Sequence, residues 1–274
     1  MIDTGQEAAT LPRISIVTLS FNQGRFLDAA LRSVRDQGYP NVEHIVVDPG
    51  STDDSRAIID HHRAHLGPVI LEPDEGPADG LNKGFAAATG AIFGCINADD
   101  LMLPGALHAS ARHFSQRPDI GAICGGGVLI DADDTVLRGI RTSRVDLGDF
   151  GHGAMTFVQQ GHYYRREAFA AAGGFNTANR TCWDAELMVD MVRAGVGFLT
   201  VPERLGAFRL YGDTITGSGR MAAQIRSDLA RVQAKALGRA PRPVDRLEAP
   251  LRLLARRLAD PAATLEGLRA RLAR

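Results

Sequence analysis

Ala91-Ile92-Phe93-Gly94-Cys95-Ile96-Asn97-Ala98-Asp99-Asp100 sets an apolar run against an Asn-Ala-Asp-Asp cluster, and Leu101-Met102-Leu103-Pro104 follows it. An apolar run that stops at carboxylates reads as a buried strand emerging into a loop. In open α/β sheets ligands bind outside the carboxyl ends of strands. A hard divalent cation there takes oxygen ligands from the protein on one side and leaves room for phosphate oxygens on the other. The cluster thus suits a metal–diphosphate site. Acidic residues also gather at strand ends simply because loops are wet, so the rest of the chain must decide between the two readings.

Working outward, residues 14–19 read as a buried strand, 26–37 as an amphipathic helix and 42–47 as the next strand. Pro49-Gly50-Ser51 turns the chain, a helix spans 55–65, and Gly67-Pro68 stops it. A short strand at 69–71 and a helix at 79–88 lead into the strand at 92–96. Repeated βα units of this kind require a mostly parallel sheet with helices on both faces. Beyond Pro104 the pattern predicts a helix to Arg117, a strand at 120–124, and a strand pair over 128–136 turning through 132–134. Residues 140–157 carry three glycines and little periodicity, which reads as a mobile loop. A helix at 184–194 and short strands at 197–201 and 205–211 follow, and from Arg220 the pattern is helical with proline breaks.

The chain of 274 residues, 45% apolar, is long enough for a core of ordinary size. No run of eighteen apolar residues occurs, and Asp3 and Glu7 stand where a signal peptide would be basic and then apolar. Cys95, Cys124 and Cys182 are odd in number and widely spaced, which fits neither a disulfide framework nor a zinc site. A cytoplasmic setting is the expectation. The net charge of −1 divides unevenly: residues 220–274 hold 13 Lys+Arg against 5 Asp+Glu, or +8, which leaves 18 against 27, or −9, for the rest. An acidic body with a basic tail does not match a nucleic-acid binder, whose basic residues line the surface that meets phosphate.

Five motifs occur in order: Ile-Val-Thr-Leu-Ser-Phe-Asn (16–22), Ile-Val-Val-Asp-Pro-Gly-Ser-Thr-Asp (45–53), Asp-Gly-Leu-Asn-Lys-Gly (79–84), Asn-Ala-Asp-Asp (97–100) and Gly-Gly-Phe-Asn (173–176). With these motifs the chain resembles the family 2 glycosyltransferases over roughly residues 12–212. The resemblance implies a GT-A fold, Rossmann-like with a mostly parallel sheet, and transfer of a sugar with inversion from a nucleoside-diphosphate donor such as a UDP-sugar. It further implies a divalent metal (Mn2+ or Mg2+) and a saccharide or lipid-linked acceptor, as in bacterial cell-envelope polysaccharide synthesis. The expected organisation is a catalytic domain over 1–219, with a nucleotide-binding half about 12–103 and an acceptor-side half about 104–219. A basic helical extension then covers 220–274.

Residue by residue, Thr18, Ser20 and Asn22 end the first strand, where small polar groups hydrogen-bond a nucleobase edge or cap the following helix. The resemblance places Asp48 at the uracil or ribose, with Asn97 and Ala98 also on the nucleotide side, and Asp99 on the metal. Pro49 stands where a second acidic residue is frequent in the family. Asp79 and Lys83 occupy the first turns of a helix. A lysine there is out of place without an anion nearby, and a diphosphate would supply one. An inverting transfer needs a carboxylate that removes the acceptor proton, and Asp184 in Thr181-Cys182-Trp183-Asp184 is the candidate, its alternative being a plain N-cap. Gln160 and His162 fall on the acceptor side, and a histidine between packed neighbours is the other reading of His162.

Two departures stand out against the family pattern. Asn97 replaces the first aspartate of Asp-x-Asp, and Tyr211 in Phe208-Arg209-Leu210-Tyr211 stands where a metal-binding histidine is common. Three accounts follow: weak metal binding completed by phosphates and water, leaving-group stabilisation by Arg209 or another cation, or a silent sugar-nucleotide-binding scaffold. A nucleotidyltransferase is disfavoured because no glycine-rich basic loop follows the first strand. In the tail, Leu247, Leu251, Leu254 and Leu258 line one helical face among Arg246, Arg252, Arg256 and Arg257. Over 244–273 such a helix suits an anionic membrane surface, or packing on the acidic body or across a homodimer interface.

Overall fold

Strand β1 (Ile14–Leu19) is buried along its whole length because helices cover both of its faces. It pairs in parallel with β2 (Val42–Val47), which carries the short β3 (Val69–Ile70) on its far side, and with β4 (Ile92–Asn97). Register brings Leu19, Val47 and Asn97 level, so three strands end together at one edge. Helices α1 (Gly24–Arg35), α2 (Ser55–His61) and α3 (Pro77–Ala87) connect them. Ile14 and Ile16 face a core shared with Ala30 and Val34 of α1, and Val17 and Leu19 face the opposite core with Leu81 and Phe85 of α3. The glycine of Asn-Lys-Gly has a packing reason: a Cβ on Gly84 would sit 2.6 Å from Val17, so only glycine lets α3 lie this close to the sheet.

The computed structural model describes residues 11–212, 214 and 218–259. Beyond β4 come β5 (Leu101–Met102), α4 (Ala106–Gln116), β6 (Ala122–Ile130), β7 (Val136–Ile140), α5 (Leu147–Gly151), β8 (His162–Arg165) and α6 (Arg166–Ala171). Then follow α7 (Trp183–Arg193), β9 (Phe198–Arg209), α8 (Ala222–Leu237) and α9 (Asp245–Ala259). The strands form one sheet in the order β3-β2-β1-β4-β8-β6-β9-β5, with β7 paired to β6. Strands β1 to β4 are parallel; β8 enters antiparallel between β4 and β6, and β6 and β9 run parallel. Among the described residues no helix is long and apolar enough to cross a membrane.

Three local expectations change. The strand at 120–124 continues to Ile130 as one nine-residue element through Gly125-Gly126-Gly127, because β9 crosses too closely there for side chains. The register slips at that point, which is how β6 and β9 stay paired for so long. The two short strands expected at 197–211 are likewise the single β9, carried through Pro202. Within 140–157, expected as a mobile loop, Asp146 caps α5 by accepting from the Asp149 N–H at 3.0 Å, and Phe150 is buried with Met188, Val189 and Val232. One aromatic anchor and one cap suffice to order a segment with no periodicity.

The helices after residue 220 divide in two. α8 sends Val232 and Ala236 into the core beside α7, and its Lys235 Nζ donates to Glu186 and Asp190, each at 2.8 Å. Glu186 is fully buried and also accepts from Asn176 at 2.8 Å and Asn179 at 2.6 Å. Burial alone would raise its pKa, but Lys235 and the two amides outweigh it and hold the carboxyl at about 2. The basic residues of α8 are therefore counterions of the acidic body. α9 instead touches α5 through polar groups: Arg252 reaches Asp146 at 3.4 Å and Asp149 at 3.3 Å, and Glu248 reaches His152 at 3.2 Å.

Lys235→Met is expected to lower unfolding stability at pH 7 by about 1–3 kcal/mol, the cost of an under-satisfied buried carboxylate. Because the Glu186 pKa is depressed, its contribution is present above its ordinary 4.5 and is lost as pH falls towards 2. Urea denaturation of both proteins at pH 7 and pH 3 checks this: the difference must shrink at the lower pH.

Candidate active site

The carboxyl ends of β2, β1 and β4 bring Asp48, Ser20 and the 97–100 cluster together. Asp48 is fully buried; its Oδ1 accepts from the Gly50 and Ser51 N–H groups at 3.1 and 2.8 Å, while its Oδ2 has no partner. The buried Ser20 hydroxyl is also unpartnered. Two buried oxygens in want of partners at neighbouring strand ends match what a bound polar ring requires. Asn22 adopts a left-handed φ of 52° and knits the rim: its side-chain oxygen accepts from the Thr52 N–H at 2.8 Å, and its own N–H donates to Ser51 Oγ at 2.8 Å. Thr18 departs from expectation. Its hydroxyl lies 2.8 Å from His44 Nε2 inside the sheet and is fully buried, so it does not reach the cleft. Burial holds His44 neutral, with a pKa pushed down to about 3.

At the acidic cluster the two aspartates do different work. Asp100 is enclosed, and its carboxylate accepts from the Arg209 N–H at 2.9 Å, from Asn97 Nδ2 at 3.0 Å and from Gln160 Nε2. Asn97 and Gln160 are thereby braces of Asp100. Ala98 is buried with Leu27, Leu31, Val46 and Ile59, its N–H on the Leu19 carbonyl at 2.9 Å. The Asp99 carboxylate meets the Tyr211 hydroxyl at 3.2 Å. Burial raises the pKa of both acids, and the Asp99 charge raises Asp100 further. Arg209 offsets this only in part: its charge lowers Asp99 and its backbone N–H lowers Asp100, yet both stay raised. Its guanidinium, buried and 4.5 Å over the Phe26 ring, donates to the Asp99 carbonyl at 2.7 Å and the Asp131 carbonyl at 2.9 Å, and pairs with Asp134 at 2.6 Å. It pins the β6–β7 turn to the site.

Both acids thus stay raised in spite of Arg209, an electrostatic setting that a divalent ion beside Asp99 would relieve. Among the described residues no group of three or more His, Cys, Asp or Glu could hold a metal alone. The donor set fits an ion anchored on Asp99 whose other ligands are diphosphate oxygens and water.

At the head of α3, Lys83 Nζ pairs with Asp79 at 3.0 Å and donates to the Pro73 carbonyl at 2.6 Å, closing the 73–79 turn. The anion that explains this lysine is therefore Asp79 itself. Asn82 exchanges two hydrogen bonds with the Phe175 backbone, at 2.8 and 3.0 Å, so the third and fifth motifs of the sequence are physically joined. Sequence reasoning missed Arg180. Its guanidinium lies against Gly76, where φ is 126° and a Cβ would collide with it, and its charge acts on Asp74 and Asp79 of the same turn. No local pattern announces such a residue.

Asp184 opens α7 and accepts from the Ala185 N–H at 2.8 Å. Its neighbours Cys95, His162, Tyr164, Phe175 and Trp183 line a cavity of about 20 Å³, and desolvation raises its pKa to about 6. His162 is buried, stacked on Phe157 at 5.2 Å, and driven to a pKa of about 3 by burial, so it stands as a neutral wall of that cavity. The loop before Asp184 is fixed from behind: buried Asp228 of α8 accepts from the Arg180 and Thr181 N–H groups at 3.0 and 3.1 Å.

Residues 15–173 match the model of glycosyl transferase family 2. An uncharacterized glycosyltransferase of Nostoc sp. (strain PCC 7120) is 27% identical over 73% of this chain and 65% of its own length. The putative teichuronic acid biosynthesis glycosyltransferase TuaG of Bacillus subtilis is 34% identical over 32% of this chain and 36% of its own. The chain spans just under two thirds of the curated Nostoc relative. Among solved structures, S. aureus TarS 1–349 in complex with UDP-GlcNAc aligns with a TM-score of 0.67 over 90% of this chain and 73% of that one, at 15% identity. The mannosyltransferase PcManGT of Pyrobaculum calidifontis, in complex with GDP-Man and Mn2+, aligns with a TM-score of 0.63 over 97% of this chain and 81% of its own, at 23% identity. With its motif order, its curled α/β sheet and its strand-end acids, the chain belongs to glycosyl transferase family 2 and has the GT-A fold.

Proposed function

We propose that this protein is an inverting glycosyltransferase that moves a sugar from a nucleoside-diphosphate donor, a UDP-sugar in the first instance, to a hydroxyl of a saccharide or lipid-linked acceptor. The observation that carries the reading is Asp184: an acid at the head of a helix, without a counter-cation, whose pKa of about 6 suits proton abstraction near neutral pH. Glu186, two residues on, is held at about 2 by its own partners and turns into the core, so one acid of the segment serves the fold and the other the reaction.

The buried Asp48 Oδ2 and Ser20 hydroxyl receive the base and ribose edge. Asp99 would hold a divalent ion, which when bound would neutralise charge on the leaving group. Arg180, lying between the 74–79 turn and the Asp184 loop, reaches the same diphosphate from the other side. The acceptor oxygen attacks the anomeric carbon as the bond to the diphosphate oxygen breaks, and its proton passes to the Asp184 carboxylate.

Asp184→Asn is expected to reduce transfer by about 10²–10⁴-fold. In the wild type, activity should climb about tenfold between pH 5 and pH 7 as Asp184 loses its proton. The folded state holds that proton more tightly than the unfolded chain, so wild-type stability falls relative to Asp184→Asn as pH rises from 3.8 through about 6. Rate–pH profiles and melting curves of both proteins measure the two effects. A flat profile, or transfer unaffected in Asp184→Asn, would remove Asp184 as the base, and a wild type with neither transfer nor donor hydrolysis would return the protein to the silent-scaffold reading.

Calorimetric titration of UDP with Mn2+ and with chelator tests the donor side. Binding should tighten at least tenfold with Mn2+ in the wild type, and that gain should vanish in Asp99→Ala. Arg180→Ala should weaken UDP binding more than uridine binding, since a guanidinium at the diphosphate is blind to the nucleoside.

A further inference from the structure

Most large apolar side chains left open on the surface belong to one short stretch. Val244, Leu247, Leu251, Leu254 and Leu258 keep 58, 67, 65, 52 and 73% of their surface exposed. Their spacing of three, four, three and four residues follows a seven-residue repeat, and the same spacing recurs in sequence at Leu265, Leu268 and Leu272. Two apolar positions per heptad make a narrow seam, the pattern by which one helix packs along another. A helix that lies in a membrane surface presents a broader apolar face with aromatic anchors, and residues 220–274 contain no Phe, Trp or Tyr.

The stripe is open because the body already holds α9 by different side chains. Asp245, Glu248 and Arg252 lie one residue further round, where they meet Arg239, His152, and Asp146 with Asp149. These contacts fix the helix with its leucines outward. Five side chains of this exposure would bury on the order of 1,000 Å² over two copies, the lower bound for a specific interface. A self-complementary patch of this kind closes a two-fold pair without any second surface.

We infer that α9 is a dimerisation helix: its Val244-Leu247-Leu251-Leu254-Leu258 stripe packs on the same stripe of a second copy of this chain. The two catalytic bodies then lie on the outside of a paired helical seam, each joined to it through α5. This inference is independent of the proposed transfer reaction.

Sedimentation equilibrium of the full chain at tens of micromolar tests it. The wild type should show about twice the chain mass of 29.3 kDa, and Leu251→Glu/Leu254→Glu should show the single mass. Both side chains are exposed in the single chain, so circular dichroism and melting of the variant at low concentration should match the wild type. A second variant, Val136→Glu, places a charge on another exposed apolar residue and should leave the pair intact. A pair that survives Leu251→Glu/Leu254→Glu overturns the inference. So does a wild type of single mass, whether it floats with phosphatidylglycerol vesicles, which would assign the stripe to an anionic membrane, or pairs only when truncated after Ala259, which would assign it to the chain's own C-terminal residues.

Discussion

A carboxylate taken out of water has to be met by donors, and around this cleft the donors come from distant parts of the chain. Asp100 gathers the Arg209 backbone, Asn97 and Gln160, thereby tying the loop after β4 to the turn before β8 and to the end of β9. Glu186 does the same behind Asp184, binding Asn176, Asn179 and the α8 lysine. Leaving either acid unmet costs several kcal/mol. The elements that carry Asp99 and Asp184 are therefore held by the same contacts that make burial of these acids tolerable.

Asp99 and Asp184 are treated differently, and the contrast separates support from chemistry. Each is crowded enough for burial to raise its pKa, and among the described residues neither carboxylate forms a salt bridge. Asp99 meets the Tyr211 phenol and the Gln23 side chain, and Asp184 meets only backbone N–H groups. Acids left in this condition destabilise the folded state at neutral pH, and such local conflict is expected where a ligand or a proton in transit completes the set. Arg209 looks from its position like the missing cation, but its guanidinium is given to two carbonyls and Asp134. It is a strut with a charge on it.

What could be read along the chain was what local pattern encodes. β1, β2 and β4 stand where continuous apolar runs ended by polar residues placed them, and the strand-end location of Asp48 and Asp99 follows from that alone. The misreadings share a physical cause. Gly125-Gly126-Gly127 looks like a break, but a close crossing by β9 demands glycine. Thr18 sits at a strand end but on the inward side, where only the position of His44 reveals its partner. Residues 140–157 lack periodicity because one buried Phe150, rather than a repeated face, orders them. Arg180 and the α8 counterions act across dozens of residues, and no window of sequence contains both halves of those contacts.

The join between Asn82 and Phe175 adds a mechanical consequence. Through it, the helix whose N-terminal turn borders the donor cleft and the loop that delivers Asp184 share two hydrogen bonds to one amide. An asparagine amide offers one donor and one acceptor in fixed geometry, so it can satisfy a backbone N–H and C=O together where aspartate or leucine could not. Asp228 then fixes the far end of the same loop at Arg180 and Thr181. The loop that leads to Trp183 is thus clamped at both ends, to α3 through Asn82 and to α8 through Asp228, and the two motifs that stand far apart in sequence are halves of one contact.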